Sequence, residues 1–244
     1  MKIDFGYEKI NIDEKEKRVK EVFDSVANKY DLMNDIMSFF IHRFWKDISV
    51  FYCNINKGDK ILDLAGGTGD LAKRFVNFVG DYGEIIIGDI NFNMLSKGRS
   101  KLVNQGFNNL KYVQLNAEQL PFLSNYFNCV SIGFGLRNIT NKLNALKSIY
   151  RVLKKGGILM ILEFSHPVND FISSLYDLYS FNFLPKIGKF ICNDEYSYRY
   201  LVESIRLHPN QDSLLKIIKQ AEFKECIYKN LFNGIVSIHI GIKY

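Results

Sequence analysis

Asp63-Leu64-Ala65-Gly66-Gly67-Thr68-Gly69-Asp70, entered from the apolar Lys60-Ile61-Leu62, reads as a buried strand that stops in a glycine-rich turn with a helix behind it. Glycine lets the backbone take positive φ and lets a ligand touch the main chain. A helix starting there aims unpaired N–H groups at whatever binds. The spacing is not the dinucleotide fingerprint G-x-G-x-x-G, whose glycines admit a pyrophosphate. Here the glycines fall as G-G-x-G after Ala65, and no further one follows at the required interval. Asp89 closes the next apolar run, Glu84-Ile85-Ile86-Ile87-Gly88, near the ~20-residue offset at which a carboxylate meets ribose hydroxyls. A ribose without a pyrophosphate is what S-adenosylmethionine presents. The competing reading is an ordinary glycine turn in an α/β protein.

Working outward, strand and helix patterns alternate. Strands are predicted over Lys60–Leu64, Glu84–Asp89, Leu110–Leu115, Phe127–Phe134 and Ile158–Phe164, with helices near Thr68–Phe78, Asn93–Asn104 and Asn141–Leu153. Gly156-Gly157 reads as the stop signal of the last of these helices. Five β/α repeats imply a parallel sheet with right-handed crossovers. A helix near Gln211–Ala221 precedes two strands, Phe223–Leu231 and Ile235–Lys243, turned through Asn233-Gly234. The expected outline is α/β: a class I methyltransferase, Rossmann-like sheet, mostly parallel, with a C-terminal antiparallel hairpin.

Two additions frame it. Val19, Val22, Phe23, Val26 and Tyr30 follow helical spacing over Asp13–Tyr30, with Asp13 and Glu16 placed as a capping box, and a second aromatic helix is expected over Asp35–Tyr52. Between about 166 and 194 an apolar insertion carries Phe171, Leu175, Leu178, Tyr179, Phe181, Phe183, Leu184, Ile187 and Phe190, broken by Pro167 and Pro185. Residues Asn193–Asn210 read as a polar connector. No linker or repeat interrupts the chain, so 1–244 is expected to be a single domain.

Composition narrows the function. Hydrophobic residues make up 47%, which fits a globular fold, and no apolar run reaches the ~20 residues of a membrane-spanning helix. The start, Met1-Lys2-Ile3-Asp4-Phe5, lacks the apolar core of a secretory signal. Cys53, Cys129, Cys192 and Cys226 form no C-x-x-C pair, so reduced thiols in a cytoplasmic protein are expected and no metal site. The formal charge of +6 comes from lysines scattered among Glu and Asp, which does not point to nucleic acid; it is compatible with peripheral contact with an anionic bilayer.

The run Val22-Phe23-Asp24-Ser25-Val26-Ala27-Asn28-Lys29-Tyr30-Asp31-Leu32-Met33-Asn34-Asp35, continued by Ile41-His42-Arg43-Phe44-Trp45-Lys46, resembles the opening signature of the ubiquinone/menaquinone biosynthesis C-methyltransferases. So do Asn116-Ala117-Glu118-Gln119-Leu120-Pro121-Phe122, Phe134-Gly135-Leu136-Arg137-Asn138, Leu162-Glu163-Phe164-Ser165 and Ser197-Tyr198-Arg199-Tyr200-Leu201. The glycine motif is common among methyltransferases; the opening signature and the Phe-Gly-Leu-Arg-Asn run are far more specific. The resemblance implies methyl transfer from S-adenosylmethionine to a ring carbon of a polyprenylated quinol, either a methoxy-benzoquinol or a demethylmenaquinol. It places cofactor contacts on Gly66, Gly67 and Thr68, on Asp89, and on Asn116 and Ala117. Gly133 stands where many members carry serine, so a hydroxyl contact is lost there.

Catalysis is expected from Arg137 and Asn138, just past the carboxyl end of the fourth strand, where open α/β sheets bind ligands. Quinol carbon becomes nucleophilic when a ring hydroxyl, pKa ~10, gives up its proton, so a base or a phenolate-stabilising cation is needed. Tyr30, Asp31, Asp35, His42, His208 and Glu163 are further candidates, each with a structural alternative. The apolar insertion suits an isoprenoid tail, or packs as a cap on the sheet or on another subunit. Partners consistent with this are the quinol, a homo-oligomer or a quinone-making complex. The rivals are an O- or N-methyltransferase of another small molecule and a silent lipid-binding subunit.

Overall fold

The computed structural model describes residues 2–27, 29–182, 184–186, 189 and 194–244. Phe183, Ile187, Phe190 and Cys192, named above, lie outside them, as does the side chain of Leu175. The N-terminus forms a hairpin, β1 (Lys2–Phe5) with β2 (Glu8–Asn11), in antiparallel register Ile3↔Ile10 and Phe5↔Glu8. Strands of four residues carry too little alternation to be legible in the sequence. Here Phe5 and Ile10 are buried against Val19, Val22 and Tyr200.

Helix α1 (Ile12–Val26) starts straight from the hairpin, with Asn11 at its N-cap position and no side-chain cap. The Asp13–Glu16 capping box therefore does not form: the hairpin already sets where the helix begins. Tyr30 opens α2 (Tyr30–Met37) instead of closing α1. The expected single helix over 35–52 is also broken. Phe39 and Phe40 take positive φ, 49° and 62°, ahead of α3 (Ile41–Phe51), and the Ser38 hydroxyl is spent on Asn34 O at 2.6 Å.

There follow β3 (Lys60–Leu64), α4 (Asp70–Val79), β4 (Glu84–Asp89), α5 (Phe92–Asn104), β5 (Leu110–Gln114), β6 (Phe127–Gly133), α6 (Lys142–Val152), β7 (Leu153–Phe164), α7 (Asp170–Asn182), α8 (Glu195–Leu207), α9 (Gln211–Gln220), β8 (Lys224–Leu231) and β9 (Val236–Ile242). Seven strands pair in the order β5-β4-β3-β6-β7-β9-β8. Neighbours from β5 to β7 run parallel, and β9 and β8 are antiparallel. Alternate residues feed two apolar layers, Ile61 with Phe75 and Ile87 on one face, Leu62 and Leu64 with Ile132 and Leu146 on the other. Each such side chain, fully buried, contributes roughly 1.5–3 kcal/mol.

Gly156-Gly157 does not end α6. The helix stops at Val152, and both glycines lie inside β7, where the Gly156 amide donates to Lys243 O at 2.7 Å and Gly156 takes φ +74°. The stretch expected as a polar connector contains α8, capped by Asp194, whose side chain accepts the Ser197 amide at 2.9 Å. Its inward residues Tyr198, Tyr200, Val202 and Ile205 are buried. Tyrosines and interspersed charges mask that periodicity. Helices α1, α2 and α8 with the hairpin make a cap whose apolar clusters are distinct from the sheet layers. Strand order reverses between β3 and β6, so a crevice opens at their carboxyl ends. The cap sits over it.

Candidate active site

Beneath the cap lie two clefts. The first, open to solvent, spans about 870 Å³ and is lined from the sheet side by Gly67, Asp89, Asn116, Ala117, Gly133 and Asn138, and from the cap by Val19, Phe23 and Tyr30. The second, about 1020 Å³, is lined by Val22, Met33, Trp45, Arg137, Phe164, Tyr176 and Tyr200 among others. Phe23, Tyr30 and Phe134 line both.

The glycine turn makes the floor of the first cleft. Gly67 takes φ +53°, and its amide donates to Asp89 Oδ2 at 2.8 Å. The other oxygen, Oδ1, accepts the Asn91 amide at 2.8 Å. Burial raises the Asp89 pKa, opposed by these amides, which hold the carboxylate in place. Asn116 spends Oδ1 on the Glu118 amide at 2.8 Å and keeps its Nδ2 donors. Gly66 is not among the residues lining the cleft, and a side chain there would strike Ile87 and Asp63. Thr68 is buried, and its hydroxyl donates to Asp31 Oδ1 at 2.8 Å, so it ties the turn to the cap instead of lining the cleft.

Arg137 and Asn138 part company. Arg137 faces the second cleft, with Nη1 3.0 Å from Glu163 Oε1, its amide 3.1 Å from Glu163 Oε2, and a further bond to Phe134 O. Glu163 is fully buried at the end of β7, so this ion pair fixes the guanidinium from behind. Asn138 faces the first cleft and accepts the Tyr200 hydroxyl on Oδ1 at 3.0 Å. Burial lifts the Tyr30 pKa, while Arg137 pulls it down, and burial lifts Tyr200 to about 12. Both stay phenols at neutral pH.

The other acid–base candidates are occupied or remote. Asp35 binds Arg43 and His42, at 2.6 and 2.8 Å. His42 lies on the wall of the second cleft, its pKa lowered by burial and by Lys46. His208 lines neither cleft, and burial pushes its pKa well down. Tyr200 was quoted from the sequence only as part of a longer run; its role needs the fold, because it lies 62 residues from Asn138.

The family model described as the ubiE/COQ5 methyltransferase family matches residues 11–243. The chain belongs to that family. A protein of Coxiella burnetii named ubiquinone/menaquinone biosynthesis C-methyltransferase UbiE is 54% identical over 241 residues, 98% of this chain and 96% of its own. One of the same name from Proteus mirabilis is 52% identical over 242 residues, 99% of this chain and 96% of its own. Among solved structures, SAM-dependent methyltransferases from Thermotoga maritima and Aquifex aeolicus superpose with TM-scores of 0.65 and 0.60. They cover 92% and 84% of this chain, and 99% and 92% of their own, at 17% and 13% identity, a likeness of fold.

This ubiE/COQ5 family member is therefore an S-adenosylmethionine-dependent methyltransferase. The first cleft suits that donor. The Asp89 carboxylate stands at the end of β4, and Gly67 lines the cleft beside it. Amide groups follow β5, and there is no cluster of cations for a pyrophosphate among the lining residues. At Gly133 only backbone is offered, as its missing side chain dictates.

Proposed function

We propose that this enzyme methylates a ring carbon of a polyprenylated quinol, 2-polyprenyl-6-methoxy-1,4-benzoquinol or demethylmenaquinol or both, a reading supported by bacterial relatives named as C-methyltransferases of ubiquinone/menaquinone biosynthesis. The observation that carries this reading is the pair of clefts meeting at Phe23, Tyr30 and Phe134, one holding the Asp89 carboxylate and the Asn116 amide, the other holding the Arg137 guanidinium among aromatic walls. Gly67, Asp89, Asn116 and Ala117 hold the donor; Arg137 and Asn138 serve the ring.

S-adenosylmethionine, when bound, supplies an electrophilic methyl on a sulfonium. The residues of the chain do the rest. Aromatic walls from Phe23, Tyr30 and Phe134 align the ring with the donor and keep water from competing for the methyl, a positioning effect of up to ~7–11 kcal/mol in ideal cases. Arg137, braced by Glu163, places positive charge where a quinol hydroxyl loses its proton. Asn138, on the wall of the first cleft, offers its amide hydrogens to the ring from the donor's side. The ring carbon then forms its bond to the methyl as the sulfonium bond breaks, and the displaced ring proton leaves to solvent. Pre-aimed donors of this kind are worth ~10²–10³ in rate.

An isoprenoid tail needs an apolar exit. Phe39, Phe40, Phe44, Phe171 and Leu178 are all more than half exposed, and the Phe39 ring lies 6.2 Å from Tyr179, a wall of the second cleft. No described helix is long and apolar enough to cross a membrane. These exposed rings make peripheral contact with the bilayer instead. The test is incubation with isotopically labelled methyl donor and each quinol, followed by fragmentation of the lipid product. Label on a ring carbon is expected. Label on oxygen, or none with donor binding intact, overturns the proposal.

A further inference from the structure

We propose that Phe5, in the N-terminal hairpin, is a positioning residue for methyl transfer that acts through Tyr200 on the Asn138 amide; this rests on the catalytic reading of Asn138 above. The Phe5 ring is buried, 3% exposed, and stacks on Tyr200 with centroids 4.2 Å apart and planes 20° from parallel. Tyr200 in turn donates its hydroxyl to Asn138 Oδ1 at 3.0 Å. Phe5, Tyr200 and Asn138 thus form one continuous chain of contacts from the first strand of the molecule to the donor cleft.

The hairpin is anchored to do this. The Tyr7 amide donates to Glu203 Oε2 at 2.9 Å, on the same helix as Tyr200, and Ile10 shares an apolar cluster with Phe5, Val19, Val22 and Tyr200. The Arg18 guanidinium lies over the Phe5 ring at 5.3 Å. Residue 5 precedes the segment that the family model matches, which begins at residue 11. Its contribution is carried by the contacts alone.

The physical point is the symmetry of a carboxamide. Oxygen and nitrogen occupy nearly the same space, so an unclamped Asn138 can turn over and present an acceptor where the reaction needs a donor. Tyr200 holds a phenol proton throughout the neutral range and prefers the oxygen, which leaves the Nδ2 hydrogens for the cleft. Stacking on Phe5 keeps the Tyr200 ring from swinging away from that bond.

The experiment is a double-mutant cycle on the full-length enzyme, with kcat, quinol KM, donor Kd by calorimetry and melting midpoint recorded for each variant. Phe5→Leu should lower kcat about tenfold, inside the ~10²-fold that a 1 Å misplacement can cost, with donor Kd unchanged. In an Asn138→Ala background the same substitution should cost nothing further, because the group it positions is gone. Phe5→Met fills the space with a flexible chain and carries the same cycle if the Leu variant melts below assay temperature. Wild-type kcat in both Phe5 variants with Asn138→Ala impaired overturns this inference alone, as does a Phe5 loss that persists undiminished beside Asn138→Ala. Wild-type kcat in Asn138→Ala itself overturns the catalytic reading and the inference with it.

Discussion

Thr68 Oγ1 donates to Asp31 Oδ1 at 2.8 Å while Lys101 Nζ lies 2.7 Å from Asp31 Oδ2, so one carboxylate of the cap grips both the glycine turn and α5. The family resemblance places a cofactor contact on Thr68; its hydroxyl is bonded to the cap. The hydrogen bond is worth ~0.5–1.5 kcal/mol and the half-exposed ion pair ~0–1. Asp31→Ala should therefore speed donor release about three- to tenfold with little loss of fold stability. Stopped-flow fluorescence of Trp45, the sole tryptophan and a wall of the second cleft, follows the release. An unchanged rate would mean that the cap opens elsewhere.

Gly98, in the middle of α5, makes a second contact with the turn that the sequence did not single out. A Cβ there would lie 2.9 Å from Gly67 O and equally close to Thr68 Cα. Helix propensity alone favours Gly98→Ala by ~1 kcal/mol. Overpacking costs ~1–3 kcal/mol, and the atoms struck are backbone, which cannot rotate aside. Sterics should win: the variant is expected to be ~1–2 kcal/mol less stable in urea and to bind donor at least about tenfold more weakly by calorimetry. A gain in stability would show that α5 can retreat from the turn at no cost.

β3 and β4 were legible to the residue because each joins a strong apolar run to a turn signal. The position of Asp89 was legible for the same reason, since it closes β4, and that of Gly67 from the glycine turn after β3. What the sequence concealed is long-range. Asp31 reaches Thr68 across 37 positions, and Phe5 finds Tyr200 through a hairpin too short to show a period. Gly156-Gly157 misled because a glycine pair marks helix ends and strand irregularities alike. Helix α8 was missed because its buried face is built from Tyr198 and Tyr200 as much as from aliphatics.

If the exposed rings about the second cleft meet lipid, charging them should weaken that contact selectively. Phe39→Asp and Phe171→Asp are expected to reduce co-flotation with anionic vesicles. They should also raise KM for long-tailed quinols more than for short-chain analogues, because Phe39 and Phe171 are 70% and 72% exposed and hold no core together. Equal effects on long and short substrates, with flotation intact, would assign these rings to some other contact.

Asp63 supplies a pH signature. It is fully buried under the glycine turn, where Oδ2 accepts the Ala72 amide at 3.0 Å and Oδ1 the Ser131 hydroxyl at 2.9 Å. Burial pushes its pKa up to about 7 against those two bonds. The unfolded value is ~3.9, so the folded protein retains a proton that the unfolded chain releases between the two. The contribution of Asp63 to stability is therefore complete below pH ~4 and declines as pH rises, levelling off above about 7. At ~1.4 kcal/mol per pKa unit the span is a few kcal/mol. Asp63→Asn is neutral throughout, and its amide can accept from Ala72 while donating to Ser131. Urea unfolding at pH 5 and pH 8 should show the variant gaining on the wild type by ~2–4 kcal/mol at the higher pH. A difference that stays the same at both would mean that Asp63 is ionised in the fold, with Lys46, which opposes the burial, outweighing it.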